Sequence, residues 1–188
     1  MMIIKKVVYL LGIAATLGCA QSNKSGDKLS DTTAISQVEQ GQPTNTVQPK
    51  LIENIPAFRI LTTDSVFITQ ANLKKNQPVI IIYFAPDCDH CVKFMNEVKP
   101  HLNEFKKLQV VMITWTKYET LEPFRKKMGL DAYKNITIGT EGDDLLIQQY
   151  FQIKDTPYIA IYNQNGKLVK TFAKPPKANT LVALVKGM

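Results

Sequence analysis

The sequence predicts an α/β fold, a central mixed β-sheet flanked by helices on both faces, and three observations carry that expectation. Extended apolar runs alternate along the chain with segments whose apolar residues recur at helical spacing. The run Val79 to Phe84 is unbroken by polar residues, as in a strand covered on both sides. Near the end, Tyr158 to Tyr162 and Leu168 to Phe172 flank the turn Asn163-Gln164-Asn165-Gly166, the pattern of a closing hairpin. Of the 188 residues, roughly 135 from Asn54 to Met188 make up this part, the size of one domain with one core.

The chain begins differently. Lys5 and Lys6 precede the apolar stretch Val7 to Leu17, which is too short to cross a hydrocarbon layer of about 30 Å but suits a secretory signal. Thr16-Leu17-Gly18-Cys19 resembles a bacterial lipobox, with a small residue before the cysteine and Thr where Leu is usual. Residues 1–18 are therefore expected to be a lipoprotein signal peptide and Cys19 the lipidated residue. A plain signal peptide leads to the same compartment. From Ala20 to about Leu51 the composition turns to Ser, Thr, Gln, Asn, Gly and Lys without periodicity. Such a segment buries too little apolar surface to offset its ordering entropy. Residues 19–53 read as a flexible tether and 54–188 as the folded domain, held outside the cytoplasm on a cell-envelope membrane and facing the periplasm.

Within the domain, Phe58 to Leu61 and Val66 to Ile68 read as a short hairpin around Asp64-Ser65, and Asn72 to Lys75 as a helical turn. Val79 to Ala85 is the strongest strand. A helix follows from about Cys88 to Lys107, with Val92, Met95, Val98, Leu102 and Phe105 on one face and Pro100 kinking it. Val110 to Thr114 is a strand, Thr120 to Met128 a helix ended near Gly129, and Ile136 to Ile138 a short strand. Asp143 to Phe151 reads as a helix with Asp143 and Asp144 at its positive end, and Asn179 to Lys186 as the last helix. Tyr83, Phe84, Phe94, Phe105, Phe151 and Tyr158 fall on apolar faces and are expected in the core. Packing is the expectation for Trp115, with a place near the cysteine motif as the alternative, and Thr116, Lys117 and Glu119 form a loop at the same strand end that is open to rimming the site.

Chemistry is concentrated at Cys88-Asp89-His90-Cys91. Two thiols three positions apart at a strand-to-helix junction can close a small disulfide ring and reopen it. The chain has three cysteines, and with Cys19 used by lipid the other two are left for each other. The whole arrangement, Ala85 to Cys91 after a buried strand, a long helix, then Thr156-Pro157 before a closing hairpin, resembles the thioredoxin superfamily. The segment Ile136 to Phe151 is similar to the extra element of the TlpA-like thiol-disulfide oxidoreductases. The resemblance covers about Pro56 to Phe172.

That resemblance implies residue roles. Cys88 matches the attacking thiol, Cys91 the resolving thiol with which it forms the disulfide, and Pro157 a cis-proline that leaves the Thr156 backbone open to a substrate segment. Physics supports the first two: a thiolate at Cys88 gains from a helix N-terminus, and Cys91, one turn further, reaches the same sulfur. His90 as imidazolium favours the thiolate, whereas the carboxylates of Asp87 and Asp89 oppose it, so the direction of exchange stays open. Two positions depart from the family. Ile82 stands where thioredoxins carry a buried Asp, with Glu97 a replacement only if its helix turns it inward, and Asp87 stands where an aromatic usually precedes the first cysteine.

The expected activity is extracytoplasmic thiol-disulfide exchange with protein thiols and disulfides of the cell envelope. It needs no cofactor and no metal, and an upstream redox partner resets the pair. The net charge of +7 is spread over lysines not interleaved with aromatics, so nucleic acid is not an expected partner, and the protein is expected to be a monomer. Two other readings compete. A thiol peroxidase calls for Thr three residues before the reactive cysteine, where Ala85 stands. A copper-binding module needs a soft ligand set built from Cys88, Cys91 and His90 or His101.

Overall fold

The computed structural model describes residues 52–188. The signal-like segment, Cys19 and the tether as far as Leu51 lie outside the described residues. The Glu53 carbonyl accepts the Leu168 N–H at 2.8 Å.

Among the described residues seven strands form one mixed sheet in the order β2-β1-β5-β4-β3-β6-β7. They are β1 (Arg59–Thr62), β2 (Phe67–Thr69), β3 (Val79–Tyr83), β4 (Gln109–Thr114), β5 (Ile136–Thr140), β6 (Tyr158–Tyr162) and β7 (Leu168–Phe172). β3 runs parallel to β4 and antiparallel to β6, which places it in the interior of the sheet. Every residue of β3 is buried because both of its faces are covered. Ile80, Ile82 and Phe84 pack with Phe94, Met95, Leu102 and Phe105 on one side; Val79, Ile81 and Tyr83 pack with Phe58, Ile147 and Tyr162 on the other. The predicted α/β fold with helices on both faces is what forms, and the unbroken apolar run is its cause.

The helices are α1 (Asp89–Val98), α2 (Leu121–Met128), α3 (Leu146–Phe151) and α4 (Ala178–Lys186). Three helical segments differ from the sequence expectation. The long helix through Lys107 is α-helical only to Val98 and continues as a 3-10 segment, Lys99–Phe105. Pro100 has no N–H to give the carbonyl four residues back and its ring crowds that turn, so the chain tightens while Leu102 and Phe105 still reach the core. The helix expected over Asp143 to Phe151 is split. Gly142–Asp144 is a 3-10 turn, Leu145 is left-handed at φ 47°, and α3 starts after it. The acid at its start is the buried Glu141, whose Oε2 accepts the Ile147 N–H at 2.8 Å, rather than Asp143 or Asp144. The turn expected at Asn72 to Lys75 lies earlier, at Gln70–Asn72, because Thr69 caps it and Asn72 Oδ1 accepts the Thr69 N–H at 2.8 Å.

β5 extends past Ile138 to Thr140 and lies between β1 and β4. A Cβ at Gly139 would stand 2.8 Å from Ile60 Cδ1, so only glycine lets β1 and β5 close over that fully buried side chain. Gly139→Ala is expected to lower stability by about 1–3 kcal/mol in chemical denaturation, and adding Ile60→Val to recover part of it. An unchanged midpoint contradicts this packing.

Candidate active site

β3 delivers the reactive residues. After Tyr83 the chain stays buried through Phe84 and Ala85 and surfaces at Pro86 and Asp87. Cys88 is then the N-cap of α1, with extended backbone at φ −80° and ψ 116°. A cap side chain accepts an otherwise unsatisfied amide of the first turn. Here the acceptor is sulfur: the Cys91 N–H donates to Cys88 Sγ at 3.4 Å. The first helical bond, Val92 N–H to Cys88 C=O at 3.0 Å, completes the turn.

The second half of the site arrives through sheet register. Antiparallel pairing sets Ile82 opposite Ile159 and Tyr83 opposite Tyr158, so the residues just before β6 lie at the strand end from which the cysteines emerge. Those residues are Thr156 and the buried Pro157, joined by a cis peptide bond. The Cys88 thiol points to the Thr156 carbonyl oxygen at 3.6 Å. Cys88, Cys91, Thr156 and Pro157 thus meet in one place, and both cysteines are free thiols.

The two thiols differ in environment. Cys88 is half-buried, and that burial works to raise its pKa. Hydrogen bonding by the Thr156 and Cys91 side chains, together with the backbone amides of Cys91 and His90, outweighs it and holds the Cys88 thiol below its ordinary value. Cys91 is fully buried among Phe94, Met95 and Phe84. Burial pushes its thiol up to about 12 against hydrogen bonding from Thr156 and the Ala85 backbone, and the neighbouring Cys88 adds to the rise. One thiol is held toward the thiolate and the other toward the neutral thiol.

Asp87, Asp89 and His90 are all exposed. Asp89 is the first residue of α1, where its charge faces the positive helix end. His90 lines a shallow depression with Lys93, Phe94, Glu97, Pro175 and Pro176. Ile82 is 4% exposed and packs in the same core as Cys91. Glu97 faces solvent. The one buried carboxylate among the described residues, Glu141, stands beside Tyr83, whose ring packs on the opposite sheet face from Cys91. Among the described residues no three His, Cys, Asp or Glu side chains converge as metal ligands.

Trp115 departs from the expectation of simple packing. It is 39% exposed, and one face stacks on Tyr83 with ring centroids 5.4 Å apart. With Pro86, Asp87, Thr116, Lys117 and Glu119 it lines a groove of about 720 Å³. Parallel pairing of Tyr83 with Ile113 puts Trp115 two positions beyond the residue level with the end of β3. That register was the available signal, and it is not visible without knowing which strands pair.

A family model for a thioredoxin-like domain matches residues 68–184. No curated protein matches the chain by sequence. Several solved structures share the fold. A thiol-disulfide oxidoreductase from Bacteroides fragilis superposes with a TM-score of 0.60 at 18% identity, covering 72% of this chain and 98% of that one. The exposed lipoprotein thioredoxin of Streptococcus pneumoniae gives 0.54 at 18% identity over 70% and 99%. A peroxiredoxin-like protein from Aquifex aeolicus gives 0.60 at 14% identity over 72% and 85%. These likenesses concern the fold alone, and function has to be argued from the site.

The unequal thiols lead to a direct expectation. Alkylation by iodoacetamide should modify Cys88 first. Its rate should rise as the thiolate forms and level off above a midpoint below the ordinary thiol value of about 8.5. Cys91 should stay unmodified in the folded protein. Equal labelling of both, or a Cys88 midpoint above that of a free thiol, contradicts the described hydrogen bonding.

Proposed function

We propose, from the premise that the chain belongs to the thioredoxin-like domain family, that it is an extracytoplasmic, membrane-tethered thiol-disulfide oxidoreductase exchanging disulfides with proteins of the cell envelope. The observation that carries the reading is the Cys88 sulfur, which caps α1 within hydrogen-bonding reach of the Cys91 amide and the Thr156 carbonyl. The Cys88 thiolate attacks one sulfur of a substrate disulfide and forms a mixed disulfide as a substrate thiolate leaves. Cys91 then loses its proton and attacks Cys88 Sγ. The second substrate thiol leaves, and the Cys88–Cys91 disulfide carries the two electrons' worth of oxidation. Run backwards, the same steps oxidise a substrate dithiol. The potential of the pair against its compartment sets the direction, and an upstream partner resets it.

The remaining assignments rest on the same reading. Pro157 and Thr156 line the docking side of the sulfur, Asp87, Asp89 and His90 flank it, and no cofactor takes part. Residues 1–18 act as signal peptide, Cys19 carries lipid, and residues 19–53 hold the domain of residues 54–188 away from the membrane as a monomer, with a root-mean-square reach on the order of 30 Å. The lipobox-like Thr16-Leu17-Gly18-Cys19 supports the anchor, and the likeness in fold to an exposed lipoprotein thioredoxin is consistent with it.

The test removes the resolving step. Expressed in a bacterial envelope, Cys91→Ser should trap mixed disulfides through Cys88, seen as reductant-sensitive high-mass bands on non-reducing gels, and Cys88→Ser with Cys91→Ser should abolish them. Absence of trapped species with Cys91→Ser speaks against exchange with envelope proteins.

A further inference from the structure

The end of the sheet remote from the cysteines is basic. Six exposed lysines stand in the segments that lead into β3, β4 and β5 and in the turn between β6 and β7: Lys74 and Lys75, Lys106 and Lys107, Lys134, and Lys167. Among the described residues none of the six is in an ion pair. The acids nearest them in sequence, Glu104 and Asp131, are held by Lys186 at 3.3 Å and by Arg125 at 2.6 Å. We propose that this end docks on an anionic phospholipid surface, so that the membrane to which the chain is tethered also orients the domain, with Cys88 facing away from it. The proposal rests on the lipid anchor read at Cys19 above and adds a second, electrostatic contact with the same membrane.

Three observations carry it. First, sheet register gathers the lysines. Val79 pairs with Gln109 and with Tyr162, Tyr162 with Leu168, and Val110 with Ile136, so the starts of β3, β4 and β5 and the β6–β7 turn lie at one end. Strands about 4.8 Å apart spread that end over roughly 15–20 Å. Between Lys74, Lys106 and Lys134 the surface is recessed into a cavity of about 580 Å³, lined also by Gln77 and Tyr133, where headgroups can settle among the ammonium groups. Second, the balance of charge reverses at the cysteine end. Asp87, Asp89, Glu119, Asp143, Asp144 and Asp155 are exposed there against Lys117, Lys154, Lys174 and Lys177. An anionic surface attracts one end and repels the other. Its field fades over a Debye length of about 8 Å, whereas the five residues of β3 separate the ends by roughly 17 Å. Third, the tether joins the fold at the basic end. Asn54 bridges to Lys167, and the Glu53 carbonyl accepts the Leu168 N–H, level with the first residue of β3. Between Ala20 and Leu51 the charges of Lys24, Lys28 and Lys50 are cancelled by Asp27, Asp31 and Glu39, so the tether supplies reach without attraction. A weak site held within on the order of 30 Å of the anchor meets lipid at millimolar effective concentration.

Lysine footprinting tests this. The chain purified from a bacterial envelope is reconstituted on vesicles of phosphatidylcholine alone, or of phosphatidylcholine and phosphatidylglycerol at two to one, and acetylated briefly with an N-hydroxysuccinimide ester. The rate at each lysine is read by mass spectrometry. Lys74, Lys106 and Lys134 should react about fivefold more slowly on the anionic vesicles than on the neutral ones, and Lys117 and Lys154 at the same rate on both. Salt at about 1 M, which shortens the Debye length to about 3 Å, should remove the difference. Each lysine near an anionic surface contributes about fivefold in affinity. The combined variant Lys74→Gln, Lys106→Gln, Lys134→Gln should therefore weaken docking about a hundredfold and restore the neutral-vesicle rate at Lys75 and Lys107. Equal rates on the two vesicles, or a slowing shared by Lys117 and Lys154, overturn docking while the anchor stands. Association with the anionic vesicles alone, lost at high salt, overturns the anchor and leaves docking in place; association with neither overturns both. Slowing by added polyglutamate but not by the anionic vesicles assigns the surface to an acidic polypeptide and overturns docking on lipid.

Discussion

The site depends on one register. In the antiparallel pair β3–β6, Tyr83 lies opposite Tyr158, and this brings two segments far apart in sequence, Cys88 to Cys91 and Thr156 to Pro157, to the same end of the sheet. A slip of one residue would turn every side chain of β3 to the other face. It would move Ile82 and Phe84 out of one core and Tyr83 out of the other. Burial on both faces therefore locks the pairing, and the pairing places the Thr156 carbonyl 3.6 Å from Cys88 Sγ. Packing of apolar side chains that take no part in chemistry is what sets the geometry of those that do.

From that geometry comes the difference between two identical functional groups. Cys88 sits where backbone amides converge and is held toward the anion; Cys91 is sealed into the core and held toward the neutral thiol. Part of the rise at Cys91 comes from Cys88 itself. In the proposed exchange Cys88 carries no charge once it is bonded to a substrate sulfur, so that part of the penalty disappears when Cys91 is needed. The order of events is thus built into the electrostatics. No carboxylate stands at Ile82 to take the Cys91 proton, and Glu141 faces the other side of the sheet.

Sequence pattern reached the central features because each has a local cause. The apolar run of β3, the thiol spacing, and the hairpin of Tyr158 to Tyr162 with Leu168 to Phe172 are written in consecutive residues and formed as read. The differences arise where a local signal competes with a distant one. Pro100 was legible as a kink, but conversion of the following turn to 3-10 depends on what Leu102 and Phe105 must reach. Asp143 and Asp144 looked like helix-starting acids, yet buried Glu141 does that work because β5 carries it inside. Trp115 was expected to pack, and one face does, on Tyr83; its exposed face follows from how far β4 runs beside β3.

The central claim is that Cys88 and Cys91 form a reversible two-electron couple in this site. Its most direct test is an equilibrium redox titration of the full chain against glutathione buffers, with the fraction of free thiols read at each ratio. The expected result is one transition with a slope near 29.6 mV per decade and a midpoint between about −270 and −120 mV, accompanied by formation of an intramolecular disulfide. Thiols that stay free across the whole range, or that oxidise only between molecules, would contradict the account.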